Sequence, residues 1–272
     1  MSKSTRRTLS CAREVTDLVV AHYMSGVQAH SEGRHVAWST AVSPPSEILY
    51  TLGIQPLFPE NYACVSTVMK SARKMFDVSE ASGLSRDLCS YARCVMGSVL
   101  GCESPLGGME KPDFLISTKN VCITYLKWWQ SMANALKCPL YVLDCPRITE
   151  EIEEFHVKYV AEQLRNLVLE LEKITGRNLD EDRLKEAVRV SDKAAELWRK
   201  VLEYRRAKPC PMGVTDSSAA MFPMVASAGT MEAAEYYERL LGEVSERVKD
   251  GVGVIEDEKF RLLLSGIPFW HH

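Results

Sequence analysis

Short apolar runs alternate with longer amphipathic stretches through the first half of the chain. Strands are predicted at RHVAWST (34–40) and at IQPLFPE (54–60), although Pro56 weakens the second prediction. The continuous apolar runs DFLISTK (113–119) and PLYVLD (139–144) predict two buried strands. Strands that alternate with helices predict an α/β fold with a parallel sheet built from βαβ units.

Apolar spacing and capping residues indicate the helices between these strands. In SPPSEILYTLG, Ser43 suits the N-cap of a helix, and the two prolines after it suit the first turn. Gly53 suits the end of the same helix. Further helices are predicted at residues 8–32, at 61–76, at 85–101 with Ser85 or Asp87 as the cap, and at 120–137.

The composition of the chain changes after Thr149. Charged residues dominate as far as Ala207, and apolar residues recur there at helical spacing, which predicts a pair of helices. Beyond them we predict a helix at 231–250 and a strand in KFRLLLSGIPF (259–269). A single late strand needs a sheet to join, so we expect the chain to be a fragment. The predicted segments are an N-terminal helical segment (1–32), a first α/β lobe (33–148), a helical arm (149–207) and the start of a second α/β lobe (208–272).

The composition is that of an ordinary globular protein, with 272 residues, 46% of them hydrophobic, and a net charge of -3. No basic stripe is present, which argues against a nucleic-acid partner. The N-terminus lacks the apolar run of a signal peptide, and no stretch reaches the roughly 18 apolar residues of a membrane span. We therefore predict a cytoplasmic protein without a membrane partner, in which nine cysteines stay reduced.

Candidate chemistry is expected beyond the carboxyl ends of the strands, where open parallel sheets bind ligands. Polar or reactive side chains follow each of the four predicted strands. They are Ser43 and Glu47 after the first strand, Glu60 after the second, Cys122 after the third, and Asp144 and Cys145 after the fourth.

Three cysteines occur in CSYARCVMGSVLGC, which runs from Cys89 to Cys102. Cys89 lies in the opening turn of a predicted helix, where the helix dipole favours a thiolate. Cys94 points about 140° away from it on the helix, and Cys102 follows the helix end. No CxxC pair occurs, which argues against a zinc ribbon or a ferredoxin-type run. A buried core thiol is the alternative interpretation of each cysteine.

Four pieces of the chain, in this order, resemble the family of benzoyl-CoA reductase and the 2-hydroxyacyl-CoA (2-hydroxyglutaryl-CoA) dehydratase D-component. The helical arm and SGIPFW match as well, so the resemblance covers essentially the whole chain. Its most specific parts are PPSEILYTLG followed by PENYA, and LCSYAR. The four pieces are WSTAVSPPSEILYTLGIQPLFPENYA, DLCSYARCVMG, DFLISTKNVCITYLKWW and CPLYVLDCP.

The resemblance implies two flavodoxin-like (Rossmann-like) lobes with a helical segment. It implies a heterodimer with a homologous sister subunit, each subunit holding an iron–sulfur cluster, usually [4Fe-4S], through three cysteines. It also implies a separate ATP-dependent iron–sulfur activator that supplies one electron, and an acyl-CoA substrate. Dehydratases of the family pass through a ketyl radical and lose water, whereas reductases dearomatise benzoyl-CoA.

The same resemblance identifies the cluster cysteines, and the chemistry of the side chains gives roles to two further residues. Cys89 and Cys122 match the first two cluster cysteines, and the third ligand is expected beyond residue 272. Ser43 is assigned as a hydrogen-bond donor to a thioester oxygen or to iron-bound water, with a helix N-cap as the alternative. Glu60 is assigned as an acid or base once buried, with a solvated loop carboxylate as the alternative.

Two function hypotheses stay open from the sequence. The first is a subunit of an iron–sulfur enzyme in acyl-CoA dehydration or reduction. The second is a cluster-free partner subunit that completes a heterodimer without doing chemistry itself. A flavodoxin-like FMN or dinucleotide protein is less favoured, because no GxGxxG follows a strand. The lack of a P-loop predicts that this chain does not hydrolyse ATP, and the sequence does not distinguish an aromatic from an aliphatic CoA ester.

Overall fold

A computed structural model describes residues 8–263 and 265–266 of the chain. Within these residues the chain divides into two compact units. One unit consists of residues 22–181, and the other combines residues 8–21 with the described residues from 182 onward. No helix of the described residues combines the length and the hydropathy that a membrane crossing requires.

The first unit contains a parallel sheet of four strands, which confirms the predicted α/β class. Each strand pairs in parallel with its neighbours, in the order β2-β1-β3-β4. This order matches the first four strands of flavodoxin-like sheets. The strands are β1 (Val36–Ser39), β2 (Gln55–Leu57), β3 (Phe114–Thr118) and β4 (Leu140–Leu143).

Burial along the strands follows from their positions in the sheet. Every residue of β1, β2 and β3 is buried, so both faces of this part of the sheet are covered. Pro56 is tolerated because β2 is an edge strand, where a missing N–H leaves no ladder hydrogen bond unmade. The strand predicted at 139–144 is confirmed as β4, but the prediction that it is buried is wrong. It forms the opposite edge, and Val142 there is 39% exposed.

Helices fill the connections between the strands. Trp128 and Trp129 of one of them, α6, are buried. Helix α1 (Ser10–Ser31) enters this unit from the N-terminal segment. The helices that follow it in the unit are α2 (Ser46–Thr51), α3 (Pro59–Val68), α4 (Ala72–Ala81), α5 (Ser90–Val99), α6 (Ile123–Leu136) and α7 (Glu154–Thr175).

Two helix predictions need correction. The single helix predicted over 61–76 is interrupted, because Lys70 adopts a left-handed backbone with a φ of 59° between α3 and α4. The helix predicted from Ser85 begins only at Ser90. The Ser85 hydroxyl instead accepts a hydrogen bond from the backbone N–H of Asp87, so it stabilises a turn that precedes α5.

The second unit is helical in the described residues. Its helices are α8 (Glu181–Tyr204), α9 (Val214–Ala219), α10 (Phe222–Ala226) and α11 (Met231–Lys249). The helix predicted at 231–250 is confirmed as α11. No strand occurs in residues 259–263 or 265–266, and the rest of the strand predicted at 259–269 lies outside the described residues. The division into lobes and an arm stays a prediction.

A glutamate closes the N-terminus of α1 within the second unit. The Glu243 carboxylate of α11 accepts hydrogen bonds from the backbone N–H groups of Ser10 and Cys11, at 2.8 and 3.1 Å. It also accepts one from the Ser10 hydroxyl, at 2.7 Å. These donors are the free N–H groups of a helix start, so Glu243 performs the role of an N-cap from a distant part of the chain.

Two helices of the first unit approach each other through their backbones. Gly97 of α5 faces Met75 of α4, and a Cβ atom at Gly97 would lie 2.6 Å from the Met75 carbonyl carbon. A backbone carbonyl cannot rotate aside as a flexible side chain does. The contact between α4 and α5 therefore requires glycine at this position.

We expect Gly97→Ala to destabilise the protein by about 3 kcal/mol, because the added methyl group overlaps backbone atoms. Urea unfolding followed by circular dichroism measures the change. The control is Gly242→Ala in α11, where an added Cβ meets nothing within 4 Å. That variant should be more stable by about 0.5 to 1 kcal/mol, because alanine favours a helix over glycine. Equal stability of the two variants would contradict the close approach of α4 and α5.

Candidate functional site

The carboxyl ends of β1, β2 and β3 open at one edge of the sheet because the three strands are parallel neighbours. The chain passes from β1 to β2 on one side and later returns to β3 on the other side of β1. Such a switch point leaves a crevice beyond the strand ends, which is where α/β sheets bind ligands. The predicted residues Ser43, Glu60 and Cys122 all follow these three strands.

Glu60 lies at the centre of a hydrogen-bonded network at this edge. It stands in the first turn of α3, directly after β2. The Tyr125 hydroxyl donates to its Oε1 atom, and the backbone N–H of Ala41 donates to its Oε2 atom at 3.3 Å. The Tyr125 hydroxyl also lies 2.5 Å from the Thr40 Oγ1 atom. Residues that follow three different strands therefore meet at one carboxylate.

The electrostatics of Glu60 follow from its surroundings. Burial raises its pKa from 4.5 to about 7, although the hydrogen bonds from Tyr125 and Ala41 oppose the rise. Near neutral pH the carboxyl group is therefore present in both its protonated and its ionised form. This is the range in which a carboxyl group can accept and release protons efficiently. Glu60 is therefore not a solvated loop carboxylate, which was the alternative interpretation.

Neighbouring ionisable groups of the site stay neutral. The Cys64 thiol of α3 donates to the Glu60 carbonyl oxygen at 3.3 Å, and burial raises its pKa to about 12. The Tyr23 hydroxyl of α1 donates to the Phe58 carbonyl oxygen at 3.0 Å, and burial raises its pKa well above the usual value. Neither group carries charge near neutral pH, so neither places a second negative charge beside an ionised Glu60.

Cys89 and Cys122 occupy equivalent positions on two helices. Cys89 is the N-cap of α5, Cys122 is the N-cap of α6, and both residues are exposed. Cys94, in contrast, is buried with its sulfur 3.7 Å from the Met75 sulfur, so it is a core residue.

The donor chemistry of the two exposed thiols fits an iron–sulfur cluster. Thiolates are the ligands that such clusters use, and both sulfurs are accessible. In the part of the chain that the structure describes, no group of three His, Cys, Asp or Glu side chains is placed to hold a metal ion. The described residues thus offer two ligands of the predicted kind, and a complete ligand set is not among them.

Ser43 and Asp144 have different surroundings. Ser43 is exposed in the loop after β1, with a φ of 53°, and the N-cap of α2 is Pro45. The N-cap interpretation of Ser43 is therefore wrong, because the helix starts three residues later. Asp144 pairs with Lys119 at 2.6 Å and accepts a hydrogen bond from Tyr159 of α7 at 3.1 Å. These contacts attach α7 to the end of β4.

Two members of the network, Thr40 and Tyr125, were not identified from the sequence. Thr40 is the first residue after β1, so the search at strand ends covers its position. Tyr125 is the third residue of α6 and lies 65 positions from Glu60, and no local pattern connects the two. The sequence signal that could have identified Tyr125 is its place three residues after Cys122, in the first turn of a helix.

Comparisons with known proteins agree on one family. A family model described as "2-hydroxyglutaryl-CoA dehydratase, D-component" matches residues 41–272. The chain is 32% identical over 269 residues to the (R)-phenyllactyl-CoA dehydratase alpha subunit of Clostridium sporogenes, which covers 95% of this chain and 66% of that protein. It is 30% identical over 261 residues to the (R)-2-hydroxyisocaproyl-CoA dehydratase alpha subunit of Clostridioides difficile, covering 94% and 63%.

A relative with a different activity is similar over the same length. The chain is 28% identical over 269 residues to a subunit of the benzoyl-CoA reductase of Thauera aromatica, covering 93% of this chain and 62% of that protein. The chain spans less than two thirds of the length of each of these three relatives.

We expect Cys89 and Cys122 to be alkylated by iodoacetamide well before Cys94 in the native, metal-free chain. Burial raises the pKa of Cys94 to about 11, so the fraction of this residue present as thiolate is about a hundredfold lower than for an ordinary thiol. Mass spectrometry of peptides taken at successive times measures the order of modification. Unfolding in urea should bring all three rates together. Slow modification of Cys89 and Cys122 in the native chain would contradict their exposure.

Proposed function

The chain belongs to the 2-hydroxyglutaryl-CoA dehydratase D-component family, and from this membership we propose that it is a subunit of an iron–sulfur enzyme that acts on acyl-CoA thioesters. The proposed reaction is the dehydration of a 2-hydroxyacyl-CoA or the reduction of benzoyl-CoA, the two activities for which its relatives are named. The observation that carries the proposal is the partly buried Glu60, with a pKa of about 7, at the switch point of the sheet.

Cys89 and Cys122 are the residues that we assign to the cluster. Both are exposed N-cap residues, and cysteine sulfurs are the ligands that iron–sulfur clusters use. When bound, an iron–sulfur cluster supplies single electrons, at a potential set by its ligands and its burial. The short loop between β3 and α6 holds Cys122 at the same edge of the sheet as Glu60.

Glu60 is the proposed acid–base group. Removal of water from a 2-hydroxyacyl thioester takes a proton from one carbon and a hydroxyl group from the next. A carboxyl group with a pKa of about 7 can accept the proton and release it again near neutral pH. The N–H of Ala41 and the hydroxyl of Tyr125 orient its two oxygens.

Ser43 is the proposed hydrogen-bond donor to the thioester oxygen. It lies two residues beyond Ala41, whose N–H contacts Glu60, in the loop that leaves the central strand β1. Its side chain is exposed and is not the cap of α2, so the hydroxyl is not committed to that helix. A hydroxyl in this position can donate to a carbonyl oxygen as negative charge develops there.

The proposal includes two protein partners and one small molecule. The relatives are named as subunits of their enzymes, which supports a heterodimer with a homologous sister subunit. This sequence contains no P-loop, so we propose that ATP hydrolysis takes place in a separate iron–sulfur activator that delivers the electron. The acyl-CoA thioester is the proposed small-molecule partner.

We expect Glu60→Gln to lower kcat of the activated heterodimer by about 100-fold or more, because a glutamine cannot exchange a proton. The amide keeps the size of the side chain, so the affinity for acyl-CoA should change little. The assay follows product formation anaerobically, with the sister subunit and the activator present. The matched control is Glu154→Gln, an exposed first-turn glutamate of α7, which should keep full activity. Full activity of Glu60→Gln would contradict the acid–base role.

We expect Cys89→Ala and Cys122→Ala each to reduce the iron content and the activity of the anaerobically purified heterodimer together. Each variant removes one thiolate ligand, so the cluster is held less firmly. Iron is measured chemically and by absorbance, with Cys94→Ala as the control because its thiol lies in the core. Unchanged iron in both variants would instead favour the cluster-free partner subunit.

A further inference from the structure

Tyr125 connects the Thr40 hydroxyl, at the end of β1, with the Glu60 carboxylate, which follows β2. It stands in the first turn of α6 and is 5% exposed. Its ring packs edge-on against Trp128, with the ring centroids 5.8 Å apart, so the position of the hydroxyl is held by the core. From there the hydroxyl contacts both Glu60 and Thr40.

The hydrogen bonds around Tyr125 permit a chain of donors that ends on Glu60. The backbone N–H of Val42 donates to the Thr40 hydroxyl at 3.1 Å. The Thr40 hydroxyl has two acceptors within reach, the Val42 carbonyl oxygen at 3.2 Å and the Tyr125 hydroxyl at 2.5 Å. When it donates to Tyr125, the shorter contact, the Tyr125 hydroxyl is free to donate to Glu60. Each hydroxyl then donates once and accepts once, and the chain of donors ends on a carboxylate oxygen. Such chains strengthen each member, because every donor is polarised by the one behind it.

We infer that Tyr125, supported by Thr40, is a positioning residue that orients the Glu60 carboxylate at the edge of the sheet and favours its ionised form. The inference rests on the proposed function in one respect, that Glu60 exchanges protons with the substrate. Burial also keeps the proton on Tyr125 itself, since it raises the pKa of this phenol well above the usual value. Tyr125 therefore acts as a donor and not as a second acid.

The ionisable groups that face Glu60 come from three helices. They are Tyr125 of α6, Cys64 of α3 and Tyr23 of α1, and all three are neutral near pH 7. Burial favours the protonated carboxyl, whereas the donors Tyr125 and Ala41 favour the ionised one. Removal of the Tyr125 hydroxyl should therefore raise the pKa of Glu60 further. Entry of water after a loss of packing would have the opposite effect, since hydration favours the charged form.

Infrared spectroscopy of the full chain tests this coupling directly. Near pH 6, ordinary glutamates are ionised, since their pKa is about 4.3, whereas a protonated Glu60 gives a carboxylic-acid band. Subtraction of the Glu60→Gln spectrum identifies that band. In Tyr125→Phe we expect the midpoint of its titration to move upward by about one pH unit, which corresponds to the loss of one hydrogen bond to a charged group.

Further variants separate a positioning role from a structural one. Thr40→Val should move the midpoint in the same direction by a smaller amount, and Thr40→Ser should restore it. Tyr62→Phe is the control, because its hydroxyl donates to the Pro105 carbonyl oxygen and not to Glu60. If Tyr125→Phe fails to fold, the two Thr40 variants carry the test.

The contrary outcomes are distinct from a failure of the proposed enzyme activity. An unchanged or lowered midpoint in Tyr125→Phe would overturn the inference, and so would the absence of any band that Glu60→Gln removes. The measurement requires no substrate, no cluster and no partner subunit. A chain without dehydratase or reductase activity would therefore still show the coupling if the inference is correct.

Discussion

A carboxylate buried at the edge of a parallel sheet is the constraint on which the rest of this site depends. Burial favours the neutral form of Glu60, and donors from the loop after β1 and from the first turn of α6 partly reverse that preference. The donors reach it because β1 lies between β2 and β3, so that the segments after all three strands end side by side. The order of the strands thus determines which donors reach Glu60, and through them it affects the pKa of this side chain.

The fold class and the placement of Glu60 could be predicted from the sequence. Short apolar runs bounded by prolines and polar residues coincide with the strands, as at 113–119, which contains β3 (Phe114–Thr118). The rule that ligands bind at strand ends then selects Glu60 without any knowledge of its neighbours. The exposed helix-start positions of Cys89 and Cys122 agree with the helix pattern as well.

Tertiary contacts account for what the sequence did not reveal. The surroundings of Glu60 depend on Tyr125, and a residue 65 positions away leaves no trace in local periodicity. The edge position of β4 depends on the absence of a further neighbour among the described strands, which no property of PLYVLD encodes. The break at Lys70 is a left-handed residue without glycine, so the usual signal for a helix end was missing.

The backbone contact at Gly97 has a consequence for the far end of its helix. Side chains in a helix interface can adjust their rotamers and let one helix slide, but a carbonyl group pressed against a glycine permits little sliding. The axial position of α5 is therefore set by α4, and Cys89 moves with the first residue of α5. The position of the sulfur that we propose as a cluster ligand is therefore fixed about two turns away from it, at the contact between Gly97 and the Met75 carbonyl group.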